Sequence, residues 1–384
     1  MKAYKAHKIF TGTHEVTDGY LVVDNNGEIV EVTTTKPEKA TIKNFKKGII
    51  TPGFVDTHIH GFAGVDTMDG DIEKYRHMLV RLAQEGTTSV ILTTVTSDDD
   101  HTREAVRKIT ELLYSQGPDE AKVQGIYLEG PFISPDYKGA HDEKLLRELD
   151  IKFVEELQML SGGLIKKITI APELEGAESF IHRCKIQGIH VSIGHTNATT
   201  EQVERAVEIG ADFYTHVFNA MKPFNHRDVG VVGAVLNDKT SWGEVIADGV
   251  HVNLDAIKIL LSQRGIDRTI LITDSMRGAG MPDGDYELGG LDVVVKDGEA
   301  HNVDGTLAGS TLILRDAVKN MQSLVSLNDS IKMATYNAAI AHSINGVGLL
   351  AKHKAADFIV FDEELNIQKV YINGELINEN SKSK

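Results

Sequence analysis

The sequence predicts an α/β fold: a (β/α)8 TIM-like barrel with a small β-sandwich domain built from both termini. Three observations predict it. In the middle of the chain, apolar strand-like runs alternate with amphipathic stretches of helical length. Eight such units with short connections favour a closed barrel over an open doubly wound sheet. The two ends are instead rich in strands and turns, and each is short for a stable sheet alone, so they are expected to share one domain. No GxGxxG or P-loop follows the first strand, which weakens a nucleotide-binding open sheet.

The elements follow in order. In residues 1–48, Ile9-Phe10, Gly19 to Val23 and Glu28 to Val32 are β-branched or aromatic runs, and Asp24-Asn25-Asn26-Gly27 reads as a hairpin turn between two of them. At the other end, Asp357 to Phe361 and Val370-Tyr371-Ile372 are strand-like, and Asn373-Gly374 is a turn. The expected division is 1–48 plus 345–384 as the composite domain and 49–344 as the barrel. Barrel strands are expected at 50–58, 88–95, 123–129, 167–172, 188–194, 213–218, 243–248 and 269–274. Helices fall between them, for example over 71–85 and over 199–209, the latter opening on Thr199-Thr200-Glu201-Gln202. The long, Gly-rich stretch 276–310 contains a hairpin around 291–300 and has the length of a functional loop. Residues 312–326 and 328–341 read as helices, and the polar tail 378–384 is expected to fray.

Composition bounds the function. At 384 residues with 41% hydrophobic content the chain supports a sizeable core. A net charge of −16 argues against a nucleic-acid or anionic-membrane surface, which would need a basic face. No apolar run of membrane-spanning length occurs, and the start lacks a signal-peptide core, so a cytoplasmic location is expected. The single cysteine, Cys184, excludes an intrachain disulfide and reads as a buried thiol.

Barrel enzymes place their chemistry at the carboxyl ends of the strands. There the predicted strands carry His58 and His60, Glu129, His195, His216, Asp248-Gly249-Val250-His251 and Asp274. Side chains alternate along a strand, so Asp56, His58 and His60 share a face. Each residue alone reads equally well as a satisfied polar group. Together they are all of metal-binding or acid/base type, which points to a divalent cation that activates water, with Asp274 as acid/base.

These segments resemble the amidohydrolase superfamily, and within it the N-acetylglucosamine-6-phosphate deacetylases. The matching stretches include Pro52 to Asp56, Leu128-Glu129-Gly130-Pro131-Phe132, Lys138-Gly139-Ala140-His141, Gly194 to Ala198, Thr215 to Met221, Ala247 to His251, Thr273-Asp274 and Ala308 to Thr311. The resemblance implies hydrolysis of the acetamide of N-acetylglucosamine 6-phosphate. It implies Glu129, His195 and His216 as the core metal site, with His58 and His60 opening a second. One or two divalent ions, zinc or iron, are then expected per subunit. Asp274 and His141 become the catalytic pair. Ala140, Asn219, Ala220, Arg227, Asp248, Gly249, Val250, His251, Leu307, Ala308 and Gly309 become substrate contacts. On its residue type alone Arg227 reads as a solvated surface charge. The resemblance makes it a phosphate ligand, in its own subunit or reaching a neighbour's pocket in a homodimer. The fourth-strand lysine that other superfamily members carboxylate has no evident match in Ile168 to Glu173. The competing readings are a dihydroorotase-like enzyme acting on a cyclic amide and a non-catalytic sugar-phosphate-binding scaffold.

Overall fold

The computed structural model describes residues 1–377; the tail 378–384 lies outside the described residues. Eight strands form one parallel sheet in strict chain order: Phe54–Ile59, Thr87–Thr94, Lys122–Leu128, Ile165–Ile170, His190–Ile193, Phe213–Tyr214, Trp242–Ile246 and Thr269–Ile272. The last closes onto the first through a parallel bridge between Ile59 and Ser275 and the Asp274 N–H donated to His58 O at 2.9 Å. Buried Asp56 fastens the same seam, accepting the Thr273 hydroxyl at 2.6 Å.

The helices outside the barrel follow from spacing. Ile72–Gln84 buries Tyr75, Met78, Leu79, Leu82 and Ala83, the three-and-four repeat of one helical face. Thr199 caps Thr200–Ile209 in a reciprocal capping box with Gln202. Cys184 lies buried in Ala177–Ile186, and burial pushes its thiol up to about 12.

Strands from both termini form one second sheet. Lys2–Phe10 pairs antiparallel with Glu15–Val23 and parallel with Ile49–Pro52, and Ile49–Pro52 pairs antiparallel with Phe358–Phe361. The sheet curls around its own core: the Tyr4 ring lies 4.8 Å from Phe358 and 5.0 Å from Tyr371, although whole strands intervene in the pairing order. Phe358 is buried and stacks on Tyr371 at 4.3 Å. Phe358→Ala is expected to cost about 3 kcal/mol, read as a lower urea midpoint, because a large core side chain leaves a cavity behind.

Three expectations change. The run 50–58 is two strands: Ile49–Pro52 joins the terminal sheet and Phe54–Ile59 the barrel. The break falls at Gly53, where a Cβ would meet Thr88 Oγ1 at 2.0 Å, so only glycine lets the chain pass between the sheets. Residues 328–341 form two helices, Leu327–Met333 and Tyr336–Ala341, because Thr335 departs from helical geometry at φ −136° and ψ −86°. The hairpin around 291–300 is part of a three-stranded antiparallel sheet, Gly284–Leu288, Leu291–Lys296 and Glu299–Asn302. That sheet folds over its own apolar cluster of Met276, Leu288, Val293 and Val295 beside the barrel mouth.

Candidate metal centre and active site

The barrel delivers each candidate residue at or just past a strand end. His58 is the penultimate residue of the first strand and His60 follows that strand; Glu129 follows Leu128. His195, His216 and Asp274 each lie two residues beyond their strands, in the left-handed region at φ 48°, 27° and 51°. That region costs a non-glycine residue about 1–3 kcal/mol. The sixth strand is therefore shorter than the expected 213–218: pairing stops at Tyr214, and Phe218 and Ala220 also have positive φ, 82° and 49°. The chain leaves the sheet early, and that exit turns the His216 ring inward.

Glu129 stands at the centre with its two oxygens facing two histidine pairs. Its Oε1 is 3.0 Å from His216 Nε2 and 3.3 Å from His195 Nε2, and those nitrogens are 3.0 Å apart. Its Oε2 is 2.9 Å from His60 Nε2 and 3.4 Å from His58 Nε2. Asp274 Oδ1 closes the second group at 3.1 Å from His60 Nε2 and 3.3 Å from His58 Nε2. All six side chains are buried.

The donor chemistry fits cations. His195 Nδ1–H donates to Tyr137 O at 2.9 Å, which leaves its Nε2 as a lone pair aimed at Glu129 and His216. His58 Nε2 is buried without a hydrogen-bond partner, between two carboxylates. Lone pairs and carboxylate oxygens that converge in a buried space are satisfied by divalent ions, and these are the donors that zinc and iron accept. The electrostatics carry the same information. Burial raises Glu129, but His58, His195 and His216 outweigh it and hold the carboxyl well below its usual range. Burial likewise opposes charge on His58, yet Glu129 and Asp274 lift it to about 9. Burial raises Asp274, and the imidazoles of His58 and His60 overcome this and bring it to about 2, so it is ionised.

His141 hangs over this group from the loop after the third strand, with Nε2 at 3.8 Å from Glu129 Oε2. The Thr96 N–H donates to His141 Nδ1 at 3.4 Å, and the Thr96 hydroxyl lies 2.7 Å from the same atom. Nδ1 is thus an acceptor, and the proton sits on Nε2, facing the cavity. Burial and the neighbouring His195 push His141 down to about 3, so the ring is neutral.

A cavity of about 400 Å³ opens above the cluster. Of the expected substrate contacts, Ala140, His141, Asn219, Ala220, His251, Leu307 and Gly309 line it. Asp248, Gly249, Val250 and Ala308 do not. Asp248 instead orients His251, accepting its Nδ1–H at 2.6 Å and the backbone N–H of Val250 and His251. Val250 is 42% exposed, and Ala308 is buried under the three-stranded sheet, donating to Ala300 O. Arg227 is also absent from the lining; it lies on an exposed loop, where its Nε donates to His226 Nε2 at 3.0 Å. Among the described residues that line the cavity, none is Lys or Arg.

Sequence reasoning missed the supports. Tyr137, whose carbonyl sets the His195 tautomer, and Thr96, which sets that of His141, act through positions that no spacing rule singles out. It also passed over Lys167. This fourth-strand lysine is fully buried, and its ammonium pairs with Glu244 of the seventh strand. A lysine at an inward position of a strand was the available signal.

The amidohydrolase family model matches residues 49–377. The chain is 41% identical over 318 residues to the N-acetylglucosamine-6-phosphate deacetylase of Lysinibacillus sphaericus, covering 82% of each chain. It is 37% identical to the N-acetylgalactosamine-6-phosphate deacetylase of Escherichia coli O157:H7, covering 90% of this chain and 92% of that one. Its structure superposes with a TM-score of 0.93 on a mutant N-acetyl-D-glucosamine-6-phosphate deacetylase from Mycobacterium smegmatis, solved in complex with N-acetyl-D-glucosamine-6-phosphate; sequence identity is 30%, over 98% of this chain and 99% of that one.

Proposed function

This chain belongs to the amidohydrolase family, and from that premise we propose that it removes the acetyl group of N-acetyl-D-glucosamine 6-phosphate by hydrolysis, giving D-glucosamine 6-phosphate and acetate. One observation carries the chemistry: Glu129 places one oxygen against each of two buried histidine pairs, with an ionised aspartate beside the second. Glu129, His195 and His216 would hold one divalent ion, zinc or iron. His58 and His60 would hold a second, with Glu129 as the bridge. Such ions lower the pKa of bound water to roughly 7 and polarise a carbonyl.

The protein groups do the rest. Asp274 accepts the proton of the attacking water and passes it to the amine nitrogen, which leaves only once protonated. His141 donates its Nε2–H to the acetamide oxygen as negative charge develops there. His141→Gln is expected to lower kcat by roughly 10²-fold with little change in KM, because the donor matters most in the transition state. Steady-state kinetics check this.

The lining carries carboxylates and imidazoles but no Lys or Arg, so the cavity wall gives the phosphate no permanent cation. That supports Arg227 as the phosphate ligand, delivered by its exposed loop, and a homodimer in which it enters the neighbour's pocket. Among the described residues no helix is long and apolar enough to cross a membrane. The dihydroorotase-like alternative requires a carboxylated lysine at the metals, whereas the Lys167 ammonium is committed to Glu244 and does not line the cavity. Acetate release is the test, with N-acetylglucosamine 6-phosphate, its galactosamine epimer and unphosphorylated N-acetylglucosamine compared. Release from the first at the highest kcat/KM is expected. No release from any phosphorylated sugar would end the proposal.

A further inference from the structure

Barrel interiors are usually filled by branched apolar side chains in layers. Here the layer beneath the metal centre holds a buried ion pair. Glu244 and Lys167 are both fully buried and in contact, and the Lys167 ammonium sits 3.9 Å above the Tyr127 ring and 5.1 Å above that of Phe213. A buried pair of this kind is often no more stabilising than well-packed apolar side chains of the same volume, so stability alone does not account for it. The other oxygen of Glu244 faces upward. Its Oε2 lies 3.2 Å from His58 Nδ1. The His58 ring, itself fully buried, is held edge-on against Tyr127 at 4.8 Å.

We propose that Lys167 and Glu244 are positioning residues for the second metal site, holding His58 in the tautomer protonated at Nδ1 so that the Nε2 lone pair points at the space between Glu129 and Asp274. The inference rests on the two-cation reading of the site. A carboxylate oxygen can only accept, so a hydrogen bond between Glu244 and His58 Nδ1 requires the proton on that nitrogen. Lys167 fixes the carboxylate from below and leaves its second oxygen to His58. The partner of His195 is a backbone carbonyl, which no substitution removes; Nδ1 of His60 and of His216 has no partner at all. His58 is thus the ligand whose orientation depends on a charged side chain of a distant strand. Outer partners of this type typically set metal affinity by about 10- to 100-fold.

Two double variants separate this role from mere packing. Lys167→Met with Glu244→Met removes both charges and the acceptor while conserving volume. Lys167→Met with Glu244→Gln removes the charges but leaves an amide oxygen able to accept from Nδ1. Zinc titration of the metal-free full-length chain is expected to show two ions per chain in the wild type. The first variant should bind the first ion normally and the second about 10- to 100-fold more weakly. The second variant should recover most of that loss. In the metal-free wild type at alkaline pH, where the His58 ring is neutral, imidazole nitrogen NMR should find it protonated at Nδ1 and bare at Nε2, a signature absent from the Met/Met variant. Unchanged second-ion affinity in the Met/Met variant, or a neutral wild-type His58 ring protonated at Nε2 instead of Nδ1, would overturn the inference. Fewer than two zinc ions on the wild-type chain would overturn the two-cation reading instead, and the NMR arm would still decide the tautomer.

Discussion

The Asp274→Asn variant is expected to fold and keep its metal but lose between about 10²- and 10⁴-fold in kcat, the usual contribution of a positioned acid/base. Asparagine matches aspartate in shape and retains an oxygen that faces His58 and His60, so the cluster survives. What disappears is the ability to take a proton from water and return it to nitrogen. Amines are poor leaving groups until protonated, so both halves of the reaction suffer. The measurement is acetate release alongside metal content and a melting curve. Turnover within tenfold of wild type, with metal intact, would show that another group moves the proton.

Glu129→Gln is expected to have a larger effect still. Each Glu129 oxygen lies within 3.4 Å of a different histidine pair, so this one side chain supplies the negative charge for both halves of the centre. A neutral amide presents one oxygen and one NH2 group, and the NH2 group repels a cation on whichever side it faces. Metal analysis should find both ions depleted, and activity should fall beyond the about 10⁴-fold ascribed to proton transfer alone. Added zinc should not restore it, although it should restore wild-type protein stripped by a chelator. A Glu129→Gln chain that keeps two ions and measurable turnover would contradict the bridging role.

Much of this molecule was legible in its residues. All eight barrel strands lie on the expected apolar runs, the first and sixth covering only part of theirs, because a parallel strand buried on both faces leaves a continuous apolar signature. His58, His60, Glu129, His195, His216 and Asp274 were identifiable because barrels place chemistry at strand ends and because few other residue types hold a metal. The shortfall falls on loops and on supports. Arg227, Asp248 and Val250 matched the family pattern, yet none lines the cavity within this subunit, since a loop's path depends on what it packs against.

The sequence by itself determined the alternation of strands and helices, the identity of the groups with lone pairs to offer, and that its single cysteine has no second cysteine among these residues to pair with. These are properties of residue type and period, which the chain carries whatever its neighbours. Only the tertiary structure decided which nitrogen of each imidazole faces the centre, that one carboxylate divides its two oxygens between two histidine pairs, and that a lysine and a glutamate from opposite parts of the barrel meet under His58. Those facts depend on contacts between distant segments, such as His58 and Glu244, 186 positions apart, and the His58, His141 and His195 rings are oriented by hydrogen bonds behind the ring, which no local pattern in the chain encodes.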